Sequence, residues 1–141
     1  MATDIRTVID TSVAVSAVLL PRSLPRQVFD LAFSRGEVLV SVPTIDELDD
    51  VLRCPKFDRY VPEVKRLEFL SSLVNDARVV EITSTITACR DADDDKFLEL
   101  AVSGHATYIV TGDADLLALN PFRSIVIATP ADYIAMLSNQ Q

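Results

Sequence analysis

Five short apolar runs, rich in β-branched residues, recur along this chain of 141 residues, and helical patterns fill the intervals between them. Residues 5–9, 38–42, 78–82, 107–110 and 124–128 have the length and composition of buried strands. A helix over 13–20 is stopped by Pro21, because a proline ring cannot continue the hydrogen-bond ladder. A second helix starts at Ser23 or at Leu24-Pro25 and runs to about Arg35, ended by Gly36. A third begins at Pro43-Thr44 and breaks at Cys54-Pro55; a fourth runs from Pro62 to roughly Asn75, with Val64, Leu67, Leu70 and Leu73 at near-helical spacing. The remaining helical stretches are 95–103, stopped by Gly104, a turn at 115–119, and a last helix from Thr129-Pro130 to Leu137. Apolar strands alternating with amphipathic helices specify an α/β fold, a parallel sheet covered on both faces. No composition shift or linker divides the chain, so a single domain over 1–141 is expected.

Within that frame, charge is concentrated in one stretch. Residues 89–115 hold seven acids against two bases, a local charge of −5 out of −8 for the whole chain. An acidic loop (Asp91, Asp93, Asp94, Asp95) stands where a helix begins, and Thr111-Gly112-Asp113-Ala114-Asp115 stands where the next strand ends. In an open parallel sheet both places lie at the carboxyl edge, where ligand sites form. Two more acids of the first half reach the same edge by position. Asp10 closes the first strand, and reads as a metal ligand or as a helix cap, with Ser12 the expected N-cap of the helix that follows. Glu47 lies one turn into the third helix, at the border of the face formed by Ile45, Leu48 and Leu52. It either supports Thr44 in a capping box or reaches the top of the sheet.

Among the clustered acids, Asp94 is followed at helical spacing by Phe97 and Ala101, which aims it at the protein. Gly112 would allow a tight turn with close backbone approach before Asp113. Thr111 would orient a carboxylate or a metal-bound water, or serve as an ordinary strand residue. Carboxylate oxygens from four sheet-edge positions suit hard cations such as magnesium and manganese. Two such ions activate water and stabilise the leaving oxygen in phosphodiester hydrolysis.

Other features narrow the classes. A net charge of −8 argues against a simple basic clamp on nucleic acid, though bound divalent ions would offset part of it. No run approaches the ~18 apolar residues of a membrane span. The N-terminus lacks the basic and apolar regions of a signal peptide, and Cys54 and Cys89 make no zinc or CxxC pattern, which together fit a reducing cytoplasm. His105, the sole histidine, has no serine or cysteine partner for a nucleophilic triad. The run Arg53-Cys54-Pro55-Lys56-Phe57-Asp58-Arg59-Tyr60 mixes bases and aromatics; it reads as a contact for nucleic acid or a partner, or as a solvated connection. A phosphorelay receiver would need an acidic pair after strand one and a lysine after strand five, and no lysine follows Lys96. Asp-Thr-Ser at 10–12 lacks the second aspartate of a haloacid-dehalogenase-type phosphatase.

Four segments in order, VIDTSVAVSAVL, TIDELDDVLRCPKFDRYV, CRDADDDKFLELA and YIVTGDADLLAL, resemble the PIN-domain family over nearly the whole chain. More narrowly they resemble the bacterial, VapC-like PIN proteins described as toxin components of toxin–antitoxin systems. The resemblance implies a three-layer α/β/α sandwich with a five-stranded parallel sheet. It implies cleavage of single-stranded RNA with Mg2+ or Mn2+ held by Asp10, Glu47, Asp94 and Asp113, with Asp115 and Asp91 as auxiliaries. It also implies a cognate antitoxin and a homodimer. Two positions depart from the family pattern. Ser12 stands where D-T-N has its asparagine, and Asp95 stands at the asparagine of D-N-K, so Asp94 and Asp95 are both candidate ligands. A PIN scaffold that binds partners without cleaving is the alternative.

Overall fold

The apolar runs become strands because they pair side by side with helices closing both faces. In a computed structural model that describes residues 5–139, β1 (Ile5–Ile9), β2 (Gly36–Val40), β3 (Arg78–Val79), β4 (Tyr108–Val110) and β5 (Val126–Ala128) form one parallel sheet. The order is β3-β2-β1-β4-β5, with Thr7 of β1 opposite Val38 on one side and Tyr108 on the other. Residues 1–4, part of the stretch read above as lacking a signal peptide, lie outside the described residues.

Side chains alternate across the sheet, as the two-residue period of a strand requires. Val38, Tyr108, Val110 and Ala128 enter a core shared with α1 (Thr11–Leu19), α2 (Leu24–Arg35), α3 (Val42–Leu52), α4 (Glu63–Asp76) and α7 (Pro130–Ser138). Val8, Leu39, Ile109 and Ile127 face a second core made with α5 (Asp95–Ser103) and α6 (Ala114–Leu117). The expected three layers and five parallel strands are therefore present. Among the described residues, no helix is long and apolar enough to cross a membrane.

Several local expectations are corrected. Asp10, not Ser12, is the N-cap of α1; its side chain accepts the N–H of Val13, the third helical residue. Thr44 does not cap α3. Ser41 does, in a reciprocal capping box with Thr44, so β2 ends at Val40 and Glu47 is released from any capping duty. On α4 the buried side is Arg66, Leu70 and Leu73, while Val64 is 62% exposed. β3 keeps only two residues: the Val80 N–H still bonds the Val40 carbonyl at 2.8 Å, but the chain then leaves the sheet. The turn expected at 115–119 is the helix Ala114–Leu117, with Asp113 as its N-cap.

Gly36 joins α2 to β2 against the backbone of β1. A Cβ built there would stand 2.0 Å from the Ile5 carbonyl oxygen. Gly36→Ala is expected to destabilise the protein by about 2 kcal/mol through overpacking. A lowered urea midpoint checks this; an unchanged midpoint would mean β1 moves aside at no cost.

Candidate active site

The strand order reverses direction between β1 and β4: the chain builds outward through β2 and β3, then returns to the other side of β1. The connections leaving the carboxyl ends of β1 and β4 run to helices on opposite faces, α1 and α6, and leave a crevice at the switch point. A cleft of about 590 Å³ opens there, and Asp10, Glu47, Asp94 and Asp113 all line it, together with Thr11 and Ser12. Four acids from distant parts of the chain meet on one surface.

Each is positioned by its local structure. Asp10 follows β1, and its N–H bonds the Val110 carbonyl at 3.0 Å, which ties the end of β1 to β4. Its Oδ1 accepts the Val13 N–H (2.9 Å) and the Ser12 hydroxyl (3.0 Å), and its Oδ2 accepts the Thr111 hydroxyl. Only 5% of Asp10 is exposed. Burial pushes its carboxyl above the usual range, against the pull of its Thr111, Val13 and Ser12 donors. The two alternatives for Asp10, cap and site acid, are served by one side chain: Oδ1 caps α1 while the carboxyl lines the cleft.

Thr111 couples two acids. Its hydroxyl donates to Asp10 and accepts the Asp113 N–H at 3.0 Å. Asp113 accepts the Asp115 N–H at 3.1 Å as cap of α6. The tight approach expected at Gly112 does not occur, since a Cβ there would meet nothing within 4 Å and no glycine among the described residues adopts the left-handed conformation. Hydroxyl and carboxylate bonds, not glycine freedom, shape this turn.

The acidic loop divides its labour. Asp91 caps the 3-10 turn Ala92–Asp94 by accepting the Asp93 N–H. Asp95 is buried and accepts the N–H groups of Ala88 (3.1 Å) and Cys89 (2.8 Å), so it fastens the incoming chain to the start of α5. Burial works against its charge, yet those donors hold its carboxyl below the usual range. Asp94, one residue earlier, lines the cleft instead. Asp91 and Asp115 do not line it.

Asp94 carries the clearest electrostatic signature. Burial, a hydrogen bond shared with Asp113, and the charges of Asp113, Asp91 and Glu47 push its carboxyl from the ordinary 3.8 up to about 6. Two acids within hydrogen-bond reach cannot both ionise freely; they share a proton or a cation between them. The folded state therefore binds this proton more tightly than the unfolded chain does, and stability falls as pH rises from near 4 to about 6. Asp94→Asn is expected to stabilise the metal-free protein at pH 7 by about 1 kcal/mol after solvent screening. The gap should close near pH 4. Thermal melts at both pH values check this, and a variant less stable than the parent at pH 7 would contradict it.

Lys96, which has no expected role in the site, stands beside Glu47. Its ammonium sits on Glu47 Oε1, while the Thr11 hydroxyl donates to Oε2. The available signal was the lysine two residues after Asp94 at the start of α5. Phe57 and Phe97 add apolar walls to the cleft. The Cys89 thiol, pushed up to about 12 by burial and by the Asp95 carboxylate, is no nucleophile at neutral pH. His105 does not line the cleft.

The donor set fits a hard divalent cation, because it is all oxygen and its charges repel one another. Among the described residues, no three His, Cys, Asp or Glu side chains stand in a ready metal-holding group. Lys96 takes up one oxygen of Glu47, and Asp94 and Asp113 face each other.

Residues 6–115 match the family model of the PIN domain. The chain belongs to the PIN-domain family. It is 33% identical over 117 residues to the uncharacterized protein MJ1680 of Methanocaldococcus jannaschii, covering 82% of this chain and 75% of that protein. Two solved PIN-like structures share the architecture. One is a chain of the VapBC2 crystal structure from Rickettsia felis, which is bound to a DNA fragment from their promoter. It has a TM-score of 0.60, 10% identity, and covers 87% of this chain and 97% of that one. The other is PAE2754 from Pyrobaculum aerophilum, with a TM-score of 0.59, 18% identity, and 96% and 91% coverage. At those identities the likeness concerns the fold. PIN domains are as a family nucleases that use divalent metal ions, and the oxygen donors of this cleft suit both.

Proposed function

We propose that this PIN domain, a single domain over 1–141, is a metal-dependent endoribonuclease that cleaves single-stranded RNA. We assign it to the cytoplasm as the toxin of a type II toxin–antitoxin pair. The observation that carries the nuclease reading is the meeting of Asp10, Glu47, Asp94 and Asp113 on one cleft at the switch point. The toxin assignment draws on the fold shared with a chain of a VapBC2 assembly. A cognate antitoxin and a homodimer follow from it. Sedimentation at micromolar concentration is expected to give twice the 15.5 kDa chain mass, and a monomer would contradict the dimer.

Asp10, Glu47, Asp94 and Asp113 would hold magnesium or manganese. Bound there, the ion would supply Lewis acidity to activate water and to stabilise the leaving oxygen. The chain's own residues prepare the place. Thr111, Ser12 and the Val13 N–H fix the rotamer of Asp10, so its oxygens need no reorganisation. Below about pH 6 Asp94 holds a proton that must leave before it can act as a ligand beside Asp113. Lys96 and Thr11 hold Glu47 at the rim.

Incubating RNA with the full chain and manganese, with and without chelator, tests this proposal. The expected result is chelator-sensitive cleavage that leaves 5′-phosphate and 3′-hydroxyl ends. Cleavage that persists through chelation would reject it. One observation favours a second reading, a PIN scaffold that binds partners without cutting: Glu47 is already neutralised by Lys96. A chain that takes up no manganese and cuts no RNA, yet binds a partner, would select it.

A further inference from the structure

We propose that residues 53–61 form the wall that receives the single-stranded RNA entering the acidic cleft, with Lys56 and Arg59 on phosphates and Tyr60 stacked on a base. The proposal rests on the nuclease reading above and deepens it. A cleft lined by four acids repels a polyanion, so strand binding needs cations close to the cleft but outside its acid cluster. This segment supplies them directly after α3, the helix that carries Glu47. Phe57 lines the cleft with Glu47 and Asp94, and the Lys56 ammonium stands 5.2 Å from the centre of its ring. That places the cation at the rim. The Arg59 guanidinium stacks 5.4 Å from the ring centre of Tyr60, which is 63% exposed. Among the described residues, Lys56 and Arg59 have no acidic partner, whereas Arg53 is paired with Asp49 and Asp58 with Arg66. Exposed cations interleaved with aromatic rings are the usual platform for single strands.

The segment is also built to hold its shape. Arg66 is wholly buried beneath it and donates to the carbonyls of Leu52 (2.6 Å), Cys54 (3.4 Å) and Val61, and to Asp58. Backbone bonds from Phe57 to Cys54, Asp58 to Pro55 and Tyr60 to Phe57 wind the loop tightly. A solvated connection needs no such anchor. A strand-binding wall gains from one, because less freedom is lost on binding.

The test uses the full chain in chelator, with anisotropy of a fluorescent single-stranded RNA of about 15 nucleotides. The double variant Lys56→Glu, Arg59→Glu is expected to bind at least tenfold more weakly, with a salt dependence reduced by roughly one phosphate contact or more. Tyr60→Ala is expected to weaken binding about tenfold and leave the salt dependence unchanged. Melting temperatures should match the parent, since all three side chains face solvent. With manganese, hydrolysis of bis(p-nitrophenyl) phosphate should persist in both variants, because that small diester needs only the cleft. Unchanged RNA affinity would overturn the proposal, as would equal loss of small-diester hydrolysis, which would make the segment a structural part of the cleft. An antitoxin-type protein losing affinity while RNA does not would assign the wall to that partner instead and overturn it too. If the parent hydrolyses neither substrate, the nuclease reading falls, and the anisotropy measurement still decides the wall.

Discussion

Asparagine in place of Asp10 is expected to lower manganese-dependent RNA cleavage about a thousandfold and leave the fold intact. The first part follows from charge. Asp10 brings a buried carboxylate, held by Thr111 at one oxygen and by Ser12 and Val13 at the other, to a cleft whose proposed metal clamp would be worth several kcal/mol at the transition state. Losing about 4 kcal/mol of that clamp corresponds to roughly three orders of magnitude in rate. The second part follows from shape. The Oδ1 of asparagine still accepts the Val13 N–H, so the cap of α1 survives. Asparagine removes the Oδ2 acceptor of the Thr111 hydroxyl, and relief of the buried charge of Asp10 in the metal-free protein offsets that loss. Rates and melting temperatures measured together check both halves. Cleavage within tenfold of the parent would exclude Asp10 from the chemistry.

Arg66→Ala is expected to be the most damaging substitution for stability, at about 3 kcal/mol or more. Arg66 is a fully buried guanidinium, and its partners are mainly backbone carbonyls between α3 and α4. Truncation takes the guanidinium donors from the Leu52 and Val61 carbonyls and opens a void the length of the side chain. Arg66→Lys should recover only part of the loss, because one ammonium cannot reach acceptors spread over Leu52, Cys54 and Val61. Urea unfolding checks the order parent, lysine, alanine. A stable alanine variant would show that the 53–61 segment has other support.

How much of this was readable in the chain depended on whether partners lay nearby in sequence. α5 was expected at 95–103 and stands at Asp95–Ser103, because an acidic start, a helical apolar face and Gly104 agree locally. The parallel sheet followed from apolar runs with no wet face. Caps were harder. Thr44 with Glu47 and Ser41 with Thr44 both have capping-box spacing, and only the pairing limit of β2 at Val40 chooses between them. Asp94 and Asp95 look alike in sequence and separate only when residues 88–89 fold back to occupy Asp95. Arg66 stayed hidden because three of its four acceptors are main-chain atoms, which leave no trace in side-chain pattern. Val64, Leu67, Leu70 and Leu73 suggested a stripe that the structure rotates toward Arg66, Leu70 and Leu73. Lys96 escaped notice for a related reason: its partner Glu47 lies far away along the chain and across the cleft.

The most direct measurement is the crystal structure of the full chain grown with manganese, read from the metal's anomalous signal. A peak in the cleft with Asp10, Glu47, Asp94 and Asp113 around it, and with the Asp94–Asp113 contact opened, is the expected result. Manganese bound only elsewhere, or a cleft whose acids stay paired with one another and with Lys96 at saturating metal, would contradict the claim that these acids hold the cation for catalysis.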